Sequence, residues 1–600
     1  MLNNRIGIAS GFATSQKEDS LVNTYRLLED VEEDDIYTGD GTVDYLGNAA
    51  NRRTTGNWKA CSYILGAEFS ERLAYCGMSS NLVLYLKNNL NEHSVTASKN
   101  MANWSGTCYA MPLIGAFLAD RYLGRYGMIA TFSIIYAMGM LLLTLSASVP
   151  GLKPICNDRD VCYATNAQTV VFFIALYLVA IGTGGIKPCV SSFAADQFDD
   201  ADEIEKKHKG SMFNWFYFLV SSASLISHSV LVWIQVNVGW GIGYGIATGA
   251  MVIAVIWFFS GTILYRNQTP GSSPLTRLCR VLVASLKKRN LQVPSDESVL
   301  YKNADAETTS TRSRKLDHTD SLRFFDKAAV EVESDLIEGS INTWSLCTVT
   351  EVEELKALIR LLPLWATGII FSMMYVQTGI FFVLQGSTMD TRVGKSGFEF
   401  PPASVNIFDS ISCMFWVLVY EKIIVPLARK FTGQRYGLKQ LQRIGTGLFI
   451  SIISMICAGI LEFLRLELVR RHNYYELDHV PMSIFWQIPQ YFIMGCAEVF
   501  SQIGQMEFFY DQSPDSMRSI GAAISLSTTA LGCYLSSFLV TVVTKFSTRN
   551  GDVGWITDNL NYGRLHYFFG LLAILGTINL GVFILVSRWY TYKRPIKPLD

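Results

Sequence analysis

The chain has 600 residues, half of them hydrophobic and only 17% charged, with a mean hydropathy of +0.24. That balance is foreign to a water-soluble enzyme of this size and points to a membrane protein. A net charge of -1 leaves no basic surplus for a nucleic-acid partner, so charge is informative here only by position.

Residues 1–55 contain the acidic run Glu29, Asp30, Glu32, Glu33, Asp34 and Asp35 and nothing periodic to bury, which predicts a disordered cytosolic tail. The opening MLNNRIGIAS has no continuous apolar core, so the first membrane helix is expected to serve as the insertion signal. From Trp58 onward, apolar stretches recur close to the ~20 residues that a bilayer core requires of a helix. They fall near 58–86, 101–119, 127–148, 168–190, 212–238 and 243–264, then 356–385, 403–427, 438–467, 484–510, 519–546 and 564–588. Twelve such segments predict an all-α membrane protein.

A polar insert at 265–355 divides the segments six and six. The expected organisation is an N-terminal bundle at 56–264, a cytosolic linker, a C-terminal bundle at 356–590 and a tail at 591–600. Parallel six-helix halves with a binding site between them are a recurring transporter architecture. In the linker, Leu275 to Lys288 interleaves leucine and valine with basic residues, as in an amphipathic helix on the inner membrane face, and the remainder is expected to be flexible.

Arg121 and Arg125 follow the second segment, Lys206, Lys207 and Lys209 the fourth, and Arg429, Lys430 and Arg435 the eighth. By the positive-inside rule these loops, the linker and both termini are cytosolic. The loop with Cys156 and Cys162 then faces an oxidising compartment, where a disulfide is possible. Most other cysteines are scattered singly in apolar runs as small hydrophobes.

The chemistry-bearing residues interrupt apolar segments. In AEFSERLAYCG, Glu68, Glu71 and Arg72 stand at i, i+3 and i+4, on one helix face. An Asp or Arg at mid-span costs ~2.5–3.5 kcal/mol before pairing. Arg72 can neutralise only one carboxylate fully, which leaves the other to take and release a proton, or the trio is an ion pair that snorkels to water. Lys187 follows GTGG and precedes Pro188, so the helix there is expected to bend or break; its ammonium suits a substrate carboxylate or a cytosolic anchor. Glu498 lies within the tenth segment, with Glu507 near its inner end, and would attract an amino group or bond to a neighbouring helix.

Other patterns carry no chemistry. Gly394-Lys395-Ser396 lacks the earlier glycine of a phosphate loop, because Met389 stands there. The run from Gly239 to Gly245 reads as a tight extracellular turn. The histidines are scattered without a HExxH, so no metal, no cofactor and no enzymatic activity are expected.

Nearly the whole chain, from about Tyr37 to Pro595, resembles the proton-dependent oligopeptide transporters, in the plant nitrate and peptide branch of the major facilitator superfamily. Glu68-Phe69-Ser70-Glu71-Arg72 matches the ExxER motif, GAFLADRYLGRY from Gly115 the facilitator loop motif, and GTGGIKPCVSSFAADQF the fourth-helix signature. FEFPPASVNIFD and EVFSQIGQMEFFYDQSPDSMRS look like the plant branch. The resemblance implies the major facilitator fold and proton coupling at Glu68, Glu71 and Arg72. It also implies Lys187 as ligand for the substrate carboxylate, Glu498 for the peptide amino group, and Asp120, Arg121 and Arg125 as a conformational gate. Two departures bear on substrate. The fifth-helix FYxxINxGSL appears as Phe216 to Leu225 with Ser221 for asparagine and Ala223 for glycine. In the seventh, Tyr375 and Gln377, taken as substrate-binding, occupy the place where dual-affinity nitrate transporters of the branch hold histidine. The expected partners are therefore a proton, the bilayer, and a di- or tripeptide, with nitrate or another small anion as the alternative and a membrane sensor that binds its ligand without transporting it as the remote one. The plasma membrane and the vacuolar membrane both stand as locations.

Overall fold

A computed structural model describes residues 37–590 except 40, 157–161, 200–201, 269–273, 294–299, 302–317, 333–335, 338–339, 343, 395–396, 433–437, 515–516, 550 and 552. The acidic run, the 591–600 tail, Arg435 and much of the linker lie outside the described residues.

Among the described residues, twelve long helical rods form two bundles of six. The first bundle contains α1 (Asn57–Ser79, extended by Leu82–Asn88), α2 (Ser94–Leu118), α3 (Gly124–Ser148), α4 (Asn166–Ala195), α5 (Glu203–Ile226, extended to Asn237) and α6 (Trp240–Ser260). The second contains α7 (Val349–Tyr375, followed by Phe381–Gly386), α8 (Ile407–Val419, extended by Val425–Thr432), α9 (Gln440–His472), α10 (Ile488–Gln512), α11 (Arg518–Ser547) and α12 (Leu565–Trp589). Nine helical stretches among the described residues are long and apolar enough to cross a membrane, and one, Ser94–Ser148, holds both α2 and α3. The rods outside that set are α1 and α10, whose apolar runs are interrupted by Glu68, Glu71 and Arg72 and by Glu498.

Within the first bundle α3 packs on α4 and α6, α1 on α6, and α2 on α4; in the second, α9 packs on α10 and α12, α8 on α10, and α7 on α11. The densest seam between bundles is α2 against α11. A five-residue π-turn continues the second rod of each half, Ala119–Leu123 after α2 and Tyr420–Ile424 after α8, as expected of two halves built on one plan.

Three expectations are corrected. Residues 41–55 and 37–39 are packed onto the first bundle: Tyr37 bridges Asn51, Val43 bridges Asn267, and Arg52 Nη2 lies 2.7 Å from Asp199 Oδ2. Burial of Arg266 explains it, since its guanidinium reaches Glu205 Oε2 at 2.7 Å and the backbone oxygens of Thr55 and Arg52 at 2.9 and 3.3 Å. The tail thus supplies acceptors that a buried cation requires.

The linker is folded in part. Its helix spans Pro274–Lys287, and a 3₁₀ segment, Arg323–Ala329, packs against both that helix and α7. Lys356, with no exposed surface, draws it in by binding Asp326 Oδ1 at 2.6 Å and Glu353 Oε1 at 2.8 Å.

In the glycine run from Gly239 only the first residue turns, with φ +142°, and α6 begins at Trp240. A Cβ on Gly241 would stand 2.3 Å from Ser148 Oγ and one on Gly243 2.3 Å from Gln235 Cγ, so these glycines serve close helix packing. Between α3 and α4, a short antiparallel hairpin joins Ile155–Cys156 to Cys162–Tyr163, and a disulfide links Cys156 to Cys162.

Candidate functional site

Close packing around α4 places the first half of the site. A Cβ on Gly115 of α2 would fall 1.8 Å from the Gly184 carbonyl oxygen, and one on Gly182 or Gly185 would strike Tyr136 or Phe132 of α3. The GTGG run therefore presses α4 between α2 and α3. The expected break at Pro188 does not occur, and α4 stays helical from Asn166 to Ala195. The carbonyl that Pro188 deprives of a donor, on Gly184, is covered by that contact with α2.

On α1, Arg72 Nη2 donates to Glu68 Oε1 at 3.0 Å and reaches only to 3.9 Å from Glu71 Oε2. Glu71 is 2% exposed, and neither carboxylate oxygen has a hydrogen-bond partner. Lys187 Nζ is likewise buried without a hydrogen-bond acceptor among the described residues, seated 4.1 Å above the Tyr75 ring and 4.2 Å from the Tyr109 ring. Arg72 approaches the same Tyr75 ring at 5.8 Å, so this tyrosine joins the α1 trio to Lys187. Aromatic faces hold an ammonium without consuming its donors, which leaves them for a ligand.

The second half lies in the other bundle. Cys413 Sγ is 2.9 Å from Glu498 Oε2, and Tyr375 donates its hydroxyl to Asp409 Oδ2 at 3.3 Å. Ligand atoms of Asp409, Cys413 and Glu498 all lie within 4.8 Å of one another. Asp409 escaped the sequence reading although it stands in FEFPPASVNIFD; the criterion applied to Glu498, an acid within an apolar segment, would have found it. Gln377 sits instead in the α7–α11 seam, fully buried, its amide donating to the Met373 carbonyl at 2.6 Å and to Ser536 Oγ at 2.9 Å.

Of the gate residues, Arg125 pairs with Asp196 at the end of α4, while Asp120 and Arg121 occupy the π-turn after α2, Arg121 exposed. The second bundle repeats the device: Arg443 Nη1 lies 2.7 Å from Glu507 Oε2 and its guanidinium 4.2 Å from the Tyr420 ring. At the hairpin end the two bundles are tied through Asp558, which accepts from the Ser94 amide at 2.9 Å and lies 2.5 Å from His93 Nδ1, while Lys87 Nζ donates to its carbonyl at 3.0 Å. A cavity of about 890 Å³ outside this contact is lined by Lys87, Glu92, His479 and Glu399, among others.

Two trios of described residues have metal-ligand chemistry, His318, Asp326 and Glu353 in the linker region and Asp409, Cys413 and Glu498. In the first, the carboxylates already close on Lys356.

Residues 126–556 match the family model PTR2, described as the POT family. The chain belongs to the POT family. Among its relatives in Arabidopsis thaliana, Protein NRT1/ PTR FAMILY 8.1 is 59% identical over 94% of this chain and 99% of its own length, and Protein NRT1/ PTR FAMILY 8.2 is 59% identical over 93% and 98%. The fold is also that of a crystal structure of an auto-inhibited POT family peptide transporter, at TM-score 0.66 and 22% identity over 90% of this chain and 99% of that one. This POT family member is accordingly a multi-pass membrane transporter of the major facilitator type and not an enzyme.

Proposed function

We propose that this transporter is a proton-coupled symporter of di- and tripeptides, working by alternating access of its two bundles. The observation that carries the reading is the pair of unsatisfied buried charges, the Glu71 carboxylate on α1 and the Lys187 ammonium seated over the Tyr75 ring. Arg72 is committed to Glu68, so Glu71 is the carboxylate available to a proton. Lys187 keeps three donors for a substrate carboxylate, and Glu498 in the opposite bundle offers an acceptor for the amino terminus. A zwitterion held this way bridges the bundles, and it draws them together only when both ends are engaged.

The positive-inside rule applied to the basic loops supports a reading in which the Asp558 contact faces outward and both termini are cytosolic, in the plasma or the vacuolar membrane. One proton crossing 100 mV supplies about 2.3 kcal/mol, enough for tens-fold accumulation of a neutral zwitterion. The test is current recorded in oocytes at acid and neutral external pH, with a dipeptide and with nitrate supplied separately. Inward current with dipeptide that grows at acid pH is expected. Current with nitrate alone would overturn the substrate assignment, and acid-independent dipeptide flux would overturn the coupling.

A further inference from the structure

The two seams between the bundles are built differently. Where α2 meets α11 the packing is dense, and Gly106 lets Tyr534 approach so closely that a Cβ there would stand 3.0 Å from the ring. The α5–α8 seam is thin, crossed by His228 Nδ1 and Ser410 Oγ at 3.3 Å. Beginning at the next residue, Ser229, a groove of about 280 Å³ runs along it. One wall is α5, with Val230 and Trp233. The other is the chain leading into α8, with Phe398, Phe400 and Pro401, together with Ile407, the first residue of that helix. Phe400 is held against Phe485, before α10, with ring centroids 5.4 Å apart. Val230, Trp233 and Phe398 are 51, 36 and 44% exposed, so the groove presents its apolar surface away from the packed interior.

Polar atoms in the groove are few. Ser229 spends its hydroxyl on the Leu225 carbonyl at 2.8 Å. Ser404 is 2% exposed and its Oγ has no hydrogen-bond partner, and none of the described residues lining the groove carries a charge. A buried hydroxyl left in this way is stabilised by any ligand group that bonds to it. Water is a poor occupant, because it needs two to four polar partners and finds one open group. A phospholipid headgroup is poorer still, since no cation stands ready for its phosphate. A rigid apolar body with a single hydroxyl fits both the walls and the serine.

We infer that this groove is a sterol site, with the sterol hydroxyl bonded to Ser404 and the ring system lying on Trp233 and Phe398. In the orientation read from the basic loops, Ser404 stands in the 3₁₀ segment Pro402–Asn406 at the outer end of the eighth span, the depth at which a sterol keeps its hydroxyl. Ile226, one turn inward of Val230, and Ile411, one turn inward of Ile407, are 41 and 42% exposed and continue the apolar track for the sterol tail. Because the two walls belong to different bundles, the ligand binds best while they stand together. The sterol thus braces the thin seam, where the dense seam is braced by packing alone. It touches no residue of the substrate site, so the inference stands whichever compound is carried.

The test uses the full chain in phosphatidylcholine vesicles that contain a sterol bearing a diazirine on its rings. The vesicles are photolysed over a range of sterol mole fractions, and the labelled peptides are mapped by mass spectrometry. Label is expected on the segments 229–233 and 398–407, saturating with mole fraction and displaced by unlabelled sterol but not by diacylglycerol at the same fraction. Ser404→Ala should raise the half-saturating fraction about 3- to 10-fold, as loss of one neutral hydrogen bond implies. Trp233→Ala, which strips a wall, should abolish saturation, and Trp233→Phe should restore it. If Ser404→Ala does not accumulate, the wild type is competed instead with the hydrocarbon that lacks the sterol hydroxyl, which should displace the label about 3- to 10-fold less well. Labelling that rises without saturating, falls on other segments, or yields equally to diacylglycerol would overturn the inference. So would a half-saturating fraction unmoved by Ser404→Ala, or a hydrocarbon that competes as well as the sterol.

Discussion

Arg465 and Glu71 are both buried charges inside a bundle, and they are treated in opposite ways. Arg465, with no exposed surface, donates to both carboxylate oxygens of Glu462 at 2.6 and 3.0 Å, to Asn561 Oδ1 at 2.5 Å and to the Leu560 carbonyl at 3.2 Å. Glu462 in turn accepts from Gln385 at 2.9 Å. Glu71 has none of this: its nearest cation is 3.9 Å away and both oxygens are unbonded. The same contrast separates Arg266, saturated by Glu205 and backbone carbonyls, from Lys187, which rests on two aromatic rings. A buried charge with every valence filled has one stable arrangement and holds the bundle together. A buried charge left open has a second arrangement available, and alternating access requires one.

The sharpest way to break this comparison is to remove a saturated charge. Arg465→Ala strands Glu462 in the bundle, and loss of one partner from a buried pair costs about 3–5 kcal/mol. The expected outcome is loss of surface protein, read by immunoblot of the membrane fraction, before any transport is measured. Normal surface levels would show that saturation is not what gives Arg465 its place. Glu71→Gln should do the reverse. The protein reaches the surface and still exchanges labelled for unlabelled dipeptide, but the uphill accumulation of which one proton is capable, tens-fold at about 2.3 kcal/mol per 100 mV, disappears. Undiminished uphill uptake would remove Glu71 from the coupling scheme.

Lys187→Gln tests the other open charge with a smaller effect. A hydrogen bond to a charged group contributes about 1.5–3 kcal/mol, so half-saturation for a dipeptide should rise roughly 10- to 150-fold. The C-terminal amide of the same dipeptide, which offers no carboxylate, should be nearly indifferent to the change. A matching rise for both compounds would make Lys187 a packing residue.

Sequence alone displays this division only in part. The rods and their six-and-six grouping follow from apolar length, and the ExxER spacing puts Glu68, Glu71 and Arg72 on one face whatever surrounds them. Open and saturated charges look alike in one dimension, however. Glu462 and Arg465 interrupt the ninth segment just as Glu498 interrupts the tenth, and only the groups arriving from the helical turn after α7 and the loop before α12 show that the first pair is complete. Asp409 is illegible for a related reason. Its meaning comes from Glu498, 89 positions further along the chain, across the α8–α10 contact. The ordered stretch before α1 was hidden in the same way, because the demand for it comes from Arg266 after α6.

The smallest expected effect is at the hairpin end, where the bundles meet through charges that water reaches. Asp558 is 56% exposed at its side chain and His93 80%, so their contact belongs with surface ion pairs of ~0.2–1 kcal/mol rather than with Arg465. Asp558→Ala removes the carboxylate that His93 and the Ser94 amide share and so favours separation of the bundles at that end. A site that opens more often outward binds external substrate in proportion to the open fraction. Apparent external affinity should therefore improve, by less than about fivefold for an energy of that size. Raising ionic strength should bring the wild type toward the variant, since salt screens exposed pairs and leaves buried ones alone. If Asp558→Ala instead lost surface protein as Arg465→Ala does, this contact would belong with the saturated charges, and exposure would not be the property that separates a latch from a brace.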